Sequence, residues 1–319
     1  MAWRRSIVIH RFTTIPMRKT SGVPPLVSVV IATHFRNHLL QDAIESALEQ
    51  QYEPMEVIVV DDSGNGHAEP VIDRYETVRG LIRDENGGWA AAYTDGIRAA
   101  NGTYIHLLDD DDYFLPGKLE HSVAAIERHD DAGVVYTGME QDTLGPVYPD
   151  PAVRGDILER ALAFRTFPCC TITMLIDRTL LTELLPLSPI ADDLLLKIEL
   201  ARRTEFQPVE ACLVYRRKAY SRKWHGMAMV GEMQRVLDHH APLYDEYPAI
   251  KREAMVRTLV TEGEIRLDEA VWSPAAIACF ARASYHADGG RLRHLARCGS
   301  AMFGRPGLAL ARRMYGIES

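Results

Sequence analysis

The sequence predicts an α/β fold, a doubly wound and mostly parallel sheet followed by a helical C-terminal extension. Short apolar runs rich in β-branched residues alternate with stretches of helical periodicity through the first half, the pattern of strands joined by right-handed crossovers. The runs are nearly continuous, as strands buried on both faces require. Two acidic clusters, Asp61-Asp62 and Asp109 to Asp112, each fall where such a run ends. Ligands of open α/β sheets bind outside the carboxyl ends of strands, so both clusters belong to one rim.

Leu26-Val-Ser-Val-Val-Ile-Ala32 is the first strand, and the next helix carries Leu39, Leu40, Ala43, Ile44, Ala47 and Leu48 on one face, ending before Pro54. Met55 to Val60 is a second strand that runs into Asp61-Asp62-Ser63-Gly64. A short helix over 68–75 leads to a weaker strand over 78–83. Residues 88–100 read as a helix closed by Asn101-Gly102 as its C-cap. A strand over 103–108 precedes the acidic run, and a helix over 119–129 and a strand over 133–137 complete the first half. Beyond Pro168-Cys-Cys, residues 171–176 read as a strand. Residues 192–203 read as a helix with Asp192 and Asp193 in its first turn, where the helix dipole favours acids. A strand over 206–215 and a basic loop over 216–224, ending at Trp224-His225, close this part. From about Met227 the text is helical, broken at Gly289-Gly290. The expected organisation is a basic N-terminal extension (1–25), an α/β domain (26–220) and a mostly helical region (221–319).

A net charge of -8 argues against nonspecific nucleic-acid binding, which needs a basic footprint. The five cysteines, with Cys169-Cys170 adjacent and no CxxC spacing, indicate neither a zinc site nor a disulfide framework. A reducing, cytoplasmic compartment is expected. No apolar run approaches the roughly 18 residues of a membrane span. Residues 1–22 carry five bases and no acid. A disordered leader or a start at Met17 is favoured over a targeting arm.

Four adjacent carboxylates repel one another, and after an apolar strand they call for a cation. Mg²⁺ and Mn²⁺ take carboxylate oxygens together with those of a diphosphate, so Asp109 to Asp112 read as the seat of a metal–nucleotide. A solvated acidic loop is the plain alternative. There is no GxGxxG after the first strand, where Ala32-Thr-His-Phe-Arg36 stands, and no GxxxxGK[ST] loop, which demotes dinucleotide and P-loop chemistry.

Val27 to Thr33, Val57 to Ser63, Glu85-Asn-Gly-Gly88, Leu107 to Pro116, and Asp192-Asp193 ahead of Leu200-Ala-Arg-Arg, in that order and spacing, resemble the inverting nucleotide-sugar glycosyltransferases of family 2, with the GT-A fold. The resemblance covers residues 26–216. It implies a donor site in which Asp62 accepts a hydrogen bond from the base, Asp61 lies beside it, Thr33 and His34 flank the base, Asn86 joins them and Asp110 approaches the ribose. It implies a divalent cation, Mg²⁺ or Mn²⁺, held by Asp109 and Asp111, and Asp193 as general base. His34-Phe35 stands where the family often has Tyr-Asn, and Tyr93-Thr94 where it commonly has Arg-Asn. Expected partners are a nucleotide-sugar donor and a glycan or lipid-linked acceptor. The basic, apolar-interspersed segment 291–313 suggests peripheral contact with the inner face of the cell membrane. A nucleotidyltransferase of similar sheet is disfavoured because residues 32–37 contain no glycine. A non-catalytic sugar-nucleotide binder is disfavoured because the metal and base carboxylates are all present.

Overall fold

A computed structural model describes residues 23–142, 145–190, 192–217 and 226–315. The expectations for the basic leader, Lys218 and Trp224-His225 lie outside these residues, as do those for the side chains of Asp192, Arg312 and Arg313. In chain order the first part comprises β1 (Val27–Thr33), α1 (Asn37–Leu48), β2 (Met55–Asp61), α2 (Glu69–Ile72), β3 (Val78–Ile82), α3 (Gly88–Ala99), β4 (Tyr104–Asp109), β5 (Asp112–Phe114) and α4 (Lys118–Ile126). There follow β6 (Ala132–Gln141), β7 (Gly145–Val147), α5 (Leu158–Leu162), β8 (Met174–Asp177), α6 (Arg178–Glu183), α7 (Asp192–Ala201) and β9 (Glu205–Arg216).

The strands form one sheet in the order β3-β2-β1-β4-β8-β6-β9-β5, with β7 paired to β6. β3, β2, β1 and β4 are mutually parallel. β8 runs antiparallel to β4 and β6, and β9 is parallel to β6 but antiparallel to β5. The sheet is therefore mixed in its second half.

Alternation along each strand divides the interior in two. Val30 of β1 and Ile58 and Val60 of β2 pack with α3 on one face, joined by Ile198 and Leu200 of α7. Val27, Val29 and Ile31 of β1 pack with Leu40, Ala43 and Ile44 of α1 on the other. That is why the strand runs are continuously apolar. On the first face, a Cβ at Gly96 would stand 2.2 Å from Val30 Cγ1, so only glycine lets α3 lie this close to β1.

Several local expectations are corrected. The helix after β3 ends in an extended Ala100, not in an Asn101-Gly102 cap. Gly102 serves instead where a Cβ would meet the Ser28 backbone at 2.6 Å. Residues 171–173 form a 3-10 turn before β8, because Thr173 Oγ1 accepts from the Cys170 amide at 3.0 Å and the Thr171 amide is drawn to Asp193. The helix expected over 68–75 shortens to α2, and the one over 119–129 ends at Ile126.

The C-terminal helices are α8 (Met227–His239), α9 (Ala241–Glu246), α10 (Pro248–Glu269), α11 (Pro274–His286), α12 (Arg291–Ala301) and α13 (Gly304–Tyr315). Val236 and Leu237 of α8, Tyr244 of α9 and Ala254 of α10 join the first core, and the Tyr244 hydroxyl donates to the Leu162 carbonyl at 2.7 Å. Further along, α10 builds a separate core with α11, α12 and α13 around Leu259, Phe280, Ala301 and Leu308. Thus α10 spans both units. Among the described residues no helix is long and apolar enough to cross a membrane.

Candidate active site

The carboxyl ends of β1, β2 and β4 supply the rim. Asp61, fully buried, accepts from the amides of Ser63 (2.9 Å) and Ala68 (2.7 Å), so both its oxygens shape the loop after β2. Asp62 accepts from the amides of Gly87 (2.9 Å) and Gly88 (2.8 Å) and from the Arg83 guanidinium. Gly88 has φ +77°, a conformation that glycine adopts without strain, and it turns these amides toward Asp62 at the start of α3. The Asn86 side-chain nitrogen lies 2.6 Å from His34 Nε2, which closes the rim between β1 and α3. Phe35 holds φ +56° and packs edge-on to His34.

The acidic run divides by direction. Asp110 turns toward β1, accepting from the Thr33 hydroxyl at 2.7 Å and from Arg36 at 3.0 Å. The same Arg36 nitrogen donates to Asp111 at 2.9 Å. Asp109, Asp111 and Asp112 each offer an oxygen within 4.8 Å of the others. The Tyr93 hydroxyl donates to Asp109 at 2.8 Å, and the Arg217 amide donates to Asp112 at 2.9 Å.

Loss of water dominates the charge balance here. Burial lifts Asp110 to about 7 although Arg36 and Thr33 pull the other way. Asp109 opens onto the crevice yet is ringed by protein, and desolvation followed by the Asp111 charge raises its carboxyl. Burial, then Asp109 and Asp111, push Asp112 well above the ordinary carboxylate range. An all-oxygen set with this deficit of positive charge fits a hard divalent ion.

Asp193 enters from α7. Its Oδ1 accepts from the Thr171 amide (2.7 Å) and hydroxyl (3.0 Å), and Oδ2 lies 2.8 Å from Lys197 Nζ one turn on. Lys197, buried, also donates to the Cys169 carbonyl at 2.8 Å. Burial works against the Lys197 charge, but Asp193 together with Cys169 and Cys170 outweighs it and the ammonium is held above its ordinary value. Asp109 and Asp193 line the same cavity of about 420 Å³, with Trp89, Tyr93, Thr171 and Arg216 on its walls. Burial opposes the Arg216 charge too, and Cys170, Asp112, Asp109 and Asp193 together outweigh it.

Among the described residues, Thr33, His34, Asp62, Asn86 and Asp109 to Asp111 lie along the rim and Asp193 in the cavity that Asp109 also lines, with Asp61 committed to its own loop. The sequence reading gave Arg36, Thr171 and Lys197 no role; it held Asp112 within the acidic run, Tyr93 as a departure from the family pattern and Arg216 within the basic loop, without naming their partners. Of the first three, only Lys197 left a local trace there, as the basic i+4 partner of Asp193.

Solved structures share this architecture. S. aureus TarS 1–349 in complex with UDP-GlcNAc superposes with a TM-score of 0.58 at 15% identity, covering 91% of each chain. The mannosyltransferase PcManGT from Pyrobaculum calidifontis, in complex with GDP-Man and Mn²⁺, gives 0.58 at 18% identity over 93% of this chain and 89% of that one. At such identities the likeness establishes the fold: a GT-A type sheet with a helical C-terminal region. Residues 28–185, which carry β1 through α6, match the profile of Glycosyl transferase family 2, and this part of the chain belongs to that family. An uncharacterized glycosyltransferase of Rickettsia felis is 36% identical over 119 residues, 36% of this chain and 20% of that protein. The chain spans between a fifth and two fifths of the length of the first curated relatives it matches.

Proposed function

We propose that this chain transfers a sugar from a nucleoside-diphosphate donor to an acceptor hydroxyl with inversion at the anomeric carbon. One observation carries the reading: Asp193 and Asp109 of the acidic cluster, from separate elements, line a single cavity large enough for a sugar. In this scheme the donor base lies along Asp62, Thr33, His34 and Asn86, and the ribose approaches Asp110. Asp109, Asp111 and Asp112 hold a divalent ion, Mg²⁺ or Mn²⁺, which, when bound, offsets charge on the diphosphate. The acceptor oxygen forms its bond to the anomeric carbon as its proton passes to Asp193 Oδ1 or Oδ2. The bond to the diphosphate breaks with its electron pair on the departing phosphate oxygen. Lys197 orients the Asp193 carboxylate before the transfer, and the Thr171 donors fix its rotamer.

The acceptor is a lipid-linked or surface glycan precursor. Exposed Leu292, Leu295, Met302, Phe303 and Leu310 of the α12–α13 region stand beside exposed Arg291, Arg293 and Arg305. This apolar and basic surface supports peripheral contact with anionic lipid. Flotation with anionic vesicles checks the contact, and no association removes it. The chemistry is tested by incubating UDP- and GDP-sugars with Mn²⁺ and a lipid extract. Sugar transfer lost in Asp193→Asn supports the reading, while transfer at the wild-type rate in that variant contradicts it.

A further inference from the structure

A second cavity, of about 660 Å³, lies between α10, α12 and the loop after α5. Arg165, Arg252, Arg257, Arg293 and Arg297 line it with His294, against Glu253, Glu264 and Asp288. Arg165 pairs with Glu253 at 3.0 Å and Arg252 with Asp288 at 2.6 Å. Arg257 Nε and His294 Nδ1 are buried without a hydrogen-bond partner. Burial, followed by Arg165 on the cavity wall, lowers the Arg257 guanidinium below its ordinary value, with Glu253 only partly offsetting and Arg297 adding to the effect. His294 is lowered too, by burial and then by Arg297 and Arg293. Five guanidiniums against three carboxylates leave an excess of positive charge around two buried unpartnered nitrogens, and an anion relieves it.

The cavity shares Arg257 and Thr261 with the cavity that holds Asp193. It thus adjoins the cavity of the proposed reaction centre across Arg257 and Thr261. We propose that this arginine cavity binds a phosphate or phosphodiester group of the acceptor, so that Arg257 fixes the distance from that anion to the hydroxyl presented at Asp193. Several guanidinium forks converging from a loop and two helices suit a tetrahedral phosphate group, whose oxygens accept from several directions, better than a planar carboxylate. The assignment rests on the glycosyl-transfer reading for its word "acceptor", but the anion site stands on the geometry alone. The phosphate could belong to an isoprenyl diphosphate lipid or to a soluble polyol phosphate, which share this chemistry.

The test uses the full chain in EDTA, with inorganic phosphate, farnesyl diphosphate and an oligomeric polyglycerol phosphate as separate probes. Each dissociation constant is measured by calorimetry, with melting temperature alongside. Arg257→Met should weaken binding about tenfold or more, and Arg293→Gln, at an exposed position, should weaken it less. Arg257→Met should also melt higher than wild type in phosphate-free buffer, since it removes a crowded charge, whereas a merely structural arginine would melt lower. Arg257→Lys should restore part of the affinity. Tighter binding of one ester than of inorganic phosphate supports an acceptor site and identifies its source. Equal binding of all three probes, or affinity unchanged in both Arg257→Met and Arg293→Gln, overturns the proposal. Nucleoside diphosphate binding, followed with Mn²⁺ in parallel samples free of EDTA, should be untouched by Arg293→Gln, which lies outside the cavity that holds Asp193. Its absence from the wild-type protein would overturn glycosyl transfer and leave the anion site standing.

Discussion

The sheet rim and the cavity between α10 and α12 face the same physical problem with opposite signs. On the rim, four carboxylates are gathered and, among the described residues, Arg36 and Arg216 stand against them as full charges, yet burial still raises Asp109, Asp110 and Asp112. In the helical cavity five guanidiniums converge on three carboxylates, and burial lowers Arg257. Neither arrangement stabilises the fold by itself, because gathering like charge away from water costs free energy. The contrast indicates where each ligand charge belongs: a cation with its diphosphate on the rim, and an anion among the helices.

The comparison breaks most sharply at Asp111. Asp111→Asn should abolish turnover and ion-dependent nucleotide binding while leaving the melting temperature in EDTA unchanged or raised, because one repelling charge is gone. Full activity of this variant would remove the rim as the ion's seat. Asp193→Asn should lower kcat by ~10² or more, the general-base range, with nucleotide affinity near wild type. Steady-state kinetics beside nucleotide titration separates the two effects, and loss of both together would mean that Asp193 holds the donor.

The next effect is on stability and has a definite sign. The rim acids have folded pKa values above their unfolded ones, near 7 for Asp110. The folded chain therefore binds more protons than the unfolded chain between about pH 4 and 7, and the ion-free protein loses stability as pH rises across that window. A divalent ion compensates the ionised carboxylates, so the gain in melting temperature from Mn²⁺ should grow as pH rises from 5 to 7. Melting curves with Mn²⁺ and with EDTA check this, and a gain that shrinks with pH would contradict it. The smallest effect is at Tyr93. Tyr93→Phe deletes the hydrogen bond to Asp109 and should weaken ion binding by about fivefold, in line with ~1 kcal/mol for one such bond.

Much of this rim is legible in the sequence because its information is local. A buried parallel strand writes itself as a continuous apolar run, and the acids stand at the run's end in Asp61-Asp62 and Asp109 to Asp112. The C-cap at Asn101-Gly102 misled for the opposite reason: Gly102 is kept by its closeness to Ser28, a contact between distant parts of the chain. β5 escaped notice because three residues, one of them an acid of the cluster, carry no period. Arg36 and Tyr93 reach the acids only through the sheet's register, so no spacing reveals them. The arginine cavity is the extreme case. Its members come from a loop and two helices far apart in sequence, within a chain rich in arginine throughout.

The most direct test of the account is calorimetric titration of the wild-type chain with UDP and GDP, in Mn²⁺ and in EDTA, repeated on Asp111→Asn. The account predicts that one nucleotide binds with Mn²⁺, that EDTA removes the binding, and that Asp111→Asn behaves in Mn²⁺ as the wild type does in EDTA. Binding of equal strength with and without the ion, or unaltered in Asp111→Asn, would contradict the assignment of the acidic rim to a metal–nucleotide.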